Sequence, residues 1–234
     1  MWQRAYQQRT ETVKIVRTRK GFYRFAWIFC KIIFKLLFRL KIEGEKYVPP
    51  CGAVILASNH ISLLDPPVIG TATTRELNYL AKAELFDQPI LRWIITGLNA
   101  LPIKREGVDK DALKKMVKLL RKGQPLLLFP EGTRSKGEKL GRGRSGVGML
   151  ALKTETSVVP VHISGSRRLL RTLLGWDRIW VRFGRPIRPG DFSLSTDLRQ
   201  DYQLVAQQVM SEIERLGKEK AQRKGSFWTS RRRC

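Results

Sequence analysis

His60 and Asp65 stand five residues apart in Asn59-His60-Ile61-Ser62-Leu63-Leu64-Asp65, directly after a short apolar run. Along a single helix that step would separate the two side chains in azimuth. Across a turn that ends at a proline-fixed helix start, they can face each other. A carboxylate then holds one imidazole nitrogen and leaves the other as a base, the His–Asp half of a triad. The same residues also fit a turn histidine with Asp65 serving only as a helix N-cap. The nucleophile of a triad is missing. There is no G-x-S-x-G elbow, and Cys30, Cys51 and Cys234 have no recognisable partner. If His60 is a base, the simplest chemistry activates a substrate hydroxyl for direct transfer, without a covalent enzyme intermediate.

A second group is Phe129-Pro130-Glu131-Gly132-Thr133-Arg134-Ser135. Gly132 permits close backbone approach, Arg134 offers a phosphate fork and Glu131 can orient either. A solvated turn with an ion pair is the plainer reading of the same stretch. Gly141-Arg142-Gly143-Arg144-Ser145-Gly146 spells G-x-G-x-x-G, but it follows a charged loop and no acidic residue lies about 20 positions on, so it is not a dinucleotide fingerprint. A basic loop entering a helix could still bind phosphate. His162 alternates with Val161 and Ile163 in a strand pattern and reads as structural. Two histidines and scattered cysteines give no metal-ligand spacing, so no metal is expected.

The elements that must position these residues alternate in type. Strand patterns cover 52–57, 77–81, 101–103, 125–129, 158–163 and 179–183. Helical patterns start at Asp65-Pro66-Pro67 and cover 89–98, 109–122, 146–153 and 198–216. Such alternation predicts an α/β domain with a mostly parallel sheet and helices on both faces. In open sheets of this kind the ligand crevice lies beyond the carboxyl ends of the strands. Ser58-Asn59-His60, Lys104-Arg105 and Pro130–Ser135 all fall just past strand ends.

Charge is the outlying property: 45 Lys+Arg against 20 Asp+Glu give +25 over 234 residues. The ends are the most basic parts, with 12 basic and 3 acidic side chains in 1–46, and 7 and 1 in 218–234. Such a surface seeks polyanions: nucleic acid, an anionic membrane or phosphorylated substrates. Three expected parts follow: a basic amphipathic membrane-docking segment at 1–46, an α/β domain at 47–217 and a basic, frayed tail at 218–234. Within the first, Phe22–Leu40 is broadly apolar but interrupted by Arg24, Lys31, Lys35 and Arg39, which excludes a clean transmembrane span. A basic stripe beside a Trp/Phe/Leu face suits a helix lying in the membrane interface. A helix packed on the domain with a solvated basic edge is the other reading. Few, scattered cysteines favour a reducing compartment.

In this order and spacing, the motifs resemble those of the lysophosphatidate acyltransferase family (1-acyl-sn-glycerol-3-phosphate O-acyltransferases). The H-x-x-x-x-D block is matched at His60–Asp65 and the E-G-T-R block at Glu131–Arg134. Leu101–Arg105 and Val159–Ile163 resemble two weaker blocks, and Tyr79–Phe86 is similar to a lysine-containing strand between the first two. The resemblance covers about 45–190. It implies a glycerol-3-phosphate acyltransferase-like fold preceded by membrane-docking helices. It implies that His60 is the base towards the acceptor hydroxyl and Asp65 its orienting carboxylate. Acceptor phosphate would be bound by Arg105, with Lys82 beside it, and Glu131, Gly132, Thr133 and Arg134 would shape the acceptor site. The reaction implied is transfer from acyl-CoA or acyl-acyl carrier protein, as co-substrate without a cofactor, to the sn-2 hydroxyl of lysophosphatidate. The partners would be membrane phospholipid, lysophosphatidate and the thioester donor, not nucleic acid, at the cytoplasmic face of the cell membrane. Two alternatives stay open: another acceptor, such as glycerol 3-phosphate, a lysophospholipid or a lyso-aminolipid, and a non-catalytic basic module binding membrane or nucleic acid.

Overall fold

A computed structural model describes residues 20–104, 109–135, 140–192 and 197–230, excepting the side chains of Lys20 and of 220–230. Its elements are α1 Lys20–Leu36, β1 Lys41–Glu43, β2 Val54–Ser58, α2 Asp65–Thr71, β3 Tyr79–Lys82, α3 Pro89–Gly97 and β4 Ala100–Ile103. They continue with α4 Lys110–Arg121, β5 Pro125–Leu128, α5 Gly146–Thr154, β6 Val158–Ser164, α6 Leu169–Leu173, β7 Trp180–Phe183 and α7 Leu198–Ser230.

The main sheet has the order β1-β7-β6-β2-β5. A second pair, β3-β4, is stitched to its β5 edge at Asn78. The Asn78 amide donates to the Pro125 carbonyl at 3.1 Å, and the Leu127 amide donates back to the Asn78 carbonyl at 2.9 Å. Strands β2 to β6 all run the same way, so their carboxyl ends share one edge. The exception to the parallel pattern is β7, antiparallel to β6, with β1 parallel to β7. The alternation within β2 explains the layers. Ile55 and Ala57 pack with Met116, Leu120, Leu150 and Ile213 on the face covered by α4, α5 and α7. Val54 and Leu56 pack with Phe34, Val68 and Ile69 on the face covered by α1 and α2. A strand buried on both faces needs a continuous apolar run, which is what 54–57 supplies.

The first helix packs on the domain along one side and leaves apolar side chains exposed on the other. On its inner side the Trp27 indole donates to the carbonyls of Gly70 (3.1 Å) and Thr73 (3.0 Å) at the end of α2. The Tyr23 hydroxyl accepts from the Leu77 amide at 3.0 Å and meets the Tyr79 hydroxyl at 3.3 Å, and burial pushes both phenols above their ordinary range. On its outer side Phe25, Ile28, Phe29, Ile32 and Leu36 are exposed, so an apolar face remains uncovered. No helix among the described residues is long and apolar enough to cross a membrane.

Three features depart from the sequence expectations. The backbone of α7 stays helical to Ser230, where a frayed tail was expected from 218. As far as Glu219 its basic residues are interleaved with acidic ones one turn away, as in Lys218–Glu214 at 2.7 Å and Arg215–Glu219, which support the first turn past 216. Strand β1 lies in the sheet ahead of the boundary expected at 46. It is too short to show a period, and it is held by the buried Arg182, 2.8 Å from Glu43. Asp65 does not cap α2; the capping position is Leu64. Pro66 and Pro67 leave the first turn without amides to cap, so the carboxylate is free to turn back into the preceding loop.

Helices α5 and α7 cross at Gly148, where any side chain would overlap the Tyr202 carbonyl. A methyl group forced into backbone there costs about 1–3 kcal/mol. Gly148→Ala should therefore lower the thermal midpoint by several degrees in a calorimetric scan; an unshifted midpoint would mean that the helices separate freely.

Candidate active site

The carboxyl edge of the sheet is where the motif residues meet. Strand β2 ends at Ser58, and Asn59 then straps it to β6: its side-chain amide donates to the Ile163 carbonyl at 2.9 Å and its oxygen accepts from the Ile163 amide at 2.8 Å. This fixes the next residue, His60. The His60 ring lies nearly flat on Phe129 from the end of β5, with centroids 4.1 Å apart and planes at 22°. The ring's Nδ1 hydrogen donates to Asp65 Oδ2 at 2.9 Å, the tautomer that a carboxylate partner requires. Nε2 is then the nitrogen left to accept a proton.

Asp65 is fully buried and its carboxylate is densely bonded. Oδ2 also accepts from the amides of Ile61 at 2.6 Å and Ser62 at 2.7 Å, and Oδ1 accepts from the Ser166 hydroxyl at 2.6 Å. Four donors on one carboxylate stabilise its charge away from water and fix its plane. The imidazole is therefore held in one orientation by a group that is itself immobile.

Glu131 is buried and faces inward. Oε1 accepts from the His60 amide at 3.1 Å, while Oε2 accepts from the Gly141 amide at 2.9 Å and from the Ser135 hydroxyl. The Ser135 amide in turn donates to the His60 carbonyl at 2.8 Å. Glu131 thus ties three segments: the His60 turn, its own loop and the Gly-Arg loop. That last loop folds over the E-G-T-R turn. The Arg144 amide donates to the Pro130 carbonyl at 2.9 Å, and its guanidinium covers Gly132, whose φ of +72° suits glycine. The G-x-G-x-x-G spelling serves this packing: Gly143 sits against Met210, where a side chain would collide.

Around this buried centre lies a rim of exposed cations. Arg134, Arg142, Arg144 and Arg167 are exposed, Lys82 is exposed at the end of β3, and Lys104 at the end of β4. Arg105 falls outside the described residues. Thr133 is exposed beside Arg134, and Gly132 is half-buried beneath Arg144. His162 is on the strand as expected, packed against Gly217 in α7. The sequence reading missed Ser166 and Arg167, whose guanidinium donates to the Ser135 carbonyl. The signal was present: Gly165–Arg168 follows β6 directly, and position past a strand end had already selected the other three segments. Among the described residues no group of three or more His, Cys, Asp or Glu could hold a metal ion.

The chain matches the Acyltransferase family over residues 39–164, more than half its length. It belongs to that family. It is 31% identical over 177 residues to the chloroplastic 1-acyl-sn-glycerol-3-phosphate acyltransferase LPAT1 of Arabidopsis thaliana, covering 72% of this chain and 49% of that protein. It is 30% identical to the lyso-ornithine lipid O-acyltransferase of Pseudomonas aeruginosa, covering 69% and 63%. The chain thus spans between about half and two thirds of the length of these two relatives. The crystal structure of the 1-acyl-sn-glycerophosphate acyltransferase PlsC from Thermotoga maritima superposes with a TM-score of 0.65 at 26% identity, covering 89% of this chain and 88% of that one. The α/β fold with its mostly parallel sheet is therefore the acyltransferase fold, and His60–Asp65 and Glu131–Arg134 both lie inside the matched range.

Ser166 supplies a donor that a buried carboxylate cannot replace with water. Ser166→Ala should destabilise the fold by about 1–3 kcal/mol in denaturant titration; an unchanged midpoint would mean that the hydroxyl is not engaged with Asp65.

Proposed function

We propose that this chain transfers a fatty acyl group from a thioester donor, acyl-CoA or acyl-acyl carrier protein, to the sn-2 hydroxyl of lysophosphatidate. The carrying observation is the His60 ring held by a fully buried Asp65, itself bonded by three further donors, at the carboxyl edge of the sheet. In this reading His60 Nε2 takes the proton of the acceptor hydroxyl as its oxygen attacks the thioester carbonyl. The C–S bond then breaks, and the departing sulfur takes the proton back from the imidazolium. A thiol with an ordinary pKa of ~8.5 leaves without a strong acid. Asp65 orients the ring and stabilises its charged form. The rim cations Arg134 and Lys82 take the acceptor phosphate, and the family resemblance adds Arg105 to them. Glu131 holds the backbone of the His60 turn, and through it the base. The relatives' names support the acyl-transfer chemistry and a lysolipid acceptor.

The exposed apolar face of α1 supports docking in one leaflet, with Arg24 and Lys35 reaching lipid phosphates. An acceptor that lives in that leaflet and a soluble donor would then meet at the interface. The Pseudomonas relative favours a second reading, the same chemistry on a lyso-ornithine lipid. The two acceptors assayed side by side with one donor decide between them. A higher kcat/KM on lyso-ornithine lipid would overturn the lysophosphatidate assignment.

His60→Ala should lose roughly 10²–10⁴-fold in turnover with the fold intact, the usual share of a general base. A folded variant that kept a tenth of the wild-type rate would remove His60 from the mechanism.

Arg134→Ala should raise KM for lysophosphatidate by roughly ten- to a hundredfold and leave KM for the donor nearly unchanged, since charge-assisted contacts to phosphate are worth about 1.5–3 kcal/mol. An equal rise for both substrates would assign Arg134 a structural part instead.

A further inference from the structure

Beyond α1, a second uncovered apolar surface stands at the site edge of the fold. Helix α6 and the turn after it expose Leu170 (76%), Leu173 (52%), Leu174 (63%) and Trp176 (74%). Positions 170, 173 and 174 share one face of a helical turn. The segment leaves β6 directly, and Ser166, four residues before Leu170, is the residue that holds Asp65. It also joins the end of α1. Arg39 donates to the Gly175 carbonyl at 2.7 Å, and the Ile179 amide donates to the Phe38 carbonyl at 3.2 Å. The exposed Leu36 and Leu37 at the end of α1 therefore lead towards this patch.

The charge around the patch selects its occupant. Between Gly165 and Trp180 the chain carries Arg167, Arg168, Arg171 and Arg178 against Asp177 alone. A second copy of the chain placed face to face would set arginines against arginines, because a two-fold interface presents the same patch on both sides. Leucines and a tryptophan flanked by arginines match an anionic leaflet instead, with apolar groups at the acyl boundary and guanidinium groups on phosphate. We infer that Arg167–Trp176 is a second lipid-contacting element. It inserts Leu170, Leu173, Leu174 and Trp176 beside the mouth of the site, so that the membrane grips the protein at α1 and again next to His60. This inference rests on the reading that the acceptor is a membrane lipid. A single contact at α1 would leave the fold free to tilt about that helix; a second contact fixes the site edge towards the leaflet.

The test uses the full chain carrying Leu170→Ser, Leu173→Ser and Trp176→Ser together. Co-sedimentation with vesicles of phosphatidylglycerol and phosphatidylcholine should show partitioning reduced by at least about tenfold, since three large apolar side chains are withdrawn from the interface. The rate on lysophosphatidate in vesicles should fall with it. The rate on a short-chain lysophosphatidate kept below its critical micelle concentration should stay at the wild-type value. Unchanged partitioning overturns the inference. So does a variant that binds vesicles normally but dissociates from a dimer in sedimentation velocity, because the patch would then face another copy. If the wild type turns over neither acceptor, the acceptor reading fails while the partitioning result still decides the lipid contact. Arg171→Glu, with every apolar residue kept, guards against loss of fold in the triple variant. It should lower the preference for anionic over purely zwitterionic vesicles by at least about fivefold, and an unchanged preference counts against the inference.

Discussion

A carboxylate sealed from water is tolerable only when its oxygens are occupied, and Asp65 satisfies that condition with four donors drawn from three places. Two come from the backbone of the turn before α2, one from the His60 ring and one from Ser166 beyond β6. The donors can converge only because β2 and β6 are neighbours and β6 runs three residues past the register partner of Ser58, to Ser164, just before Ser166. The Asn59 strap to Ile163 enforces that. They also require α2 to begin where its first side chain points back at the loop. The prolines at 66 and 67 allow it by removing the amides that would otherwise compete for the carboxylate.

Glu131 repeats the arrangement one strand further along. It too is a buried acid whose oxygens are filled by amides and a hydroxyl, and it draws in the Gly-Arg loop that packs over its own turn. The two acids divide the work by position: Asp65 holds the ring of His60, and Glu131 holds its backbone. With both inward-facing, the negative charge is confined to the interior and the positive charge to the rim. An anionic substrate then meets cations first and an oriented base behind them.

Much of this was legible in the residues. The order of strands and helices from 54 to 183, the short α6 apart, followed from apolar runs and turn residues, and the pairing of His60 with Asp65 from a five-residue step closed by proline. What escaped lacked a period or a local partner. Strand β1 is three residues long and is defined by β7, far along the chain. Ser166 carries its meaning only through Asp65, about a hundred residues away in sequence. The inward turn of Glu131 onto the His60 amide has no local signal, because nothing nearby in sequence tells an acid turned inward from one turned outward. Helix α7 runs past its expected end at 216; ion pairs among Glu212, Glu214, Arg215, Lys218 and Glu219 account for one further turn, and the apolar stripe that marks a helix in sequence has faded there.

The pairing of β1 with β7 has a consequence for the order in which the molecule can assemble. Lys41–Glu43 finds its partner in Trp180–Arg182, and Arg182 then binds both Glu43 and the Leu216 carbonyl in α7. During synthesis the early strand must wait until nearly the whole domain has left the ribosome. The edge of the sheet therefore closes last and across a long loop, a slow kind of contact to form. Helix α1 waits less, since its anchors at Gly70, Thr73 and Leu77 emerge soon after it. The nascent chain thus passes through a stage in which one half of the sheet's covering is in place and its outer edge is still open.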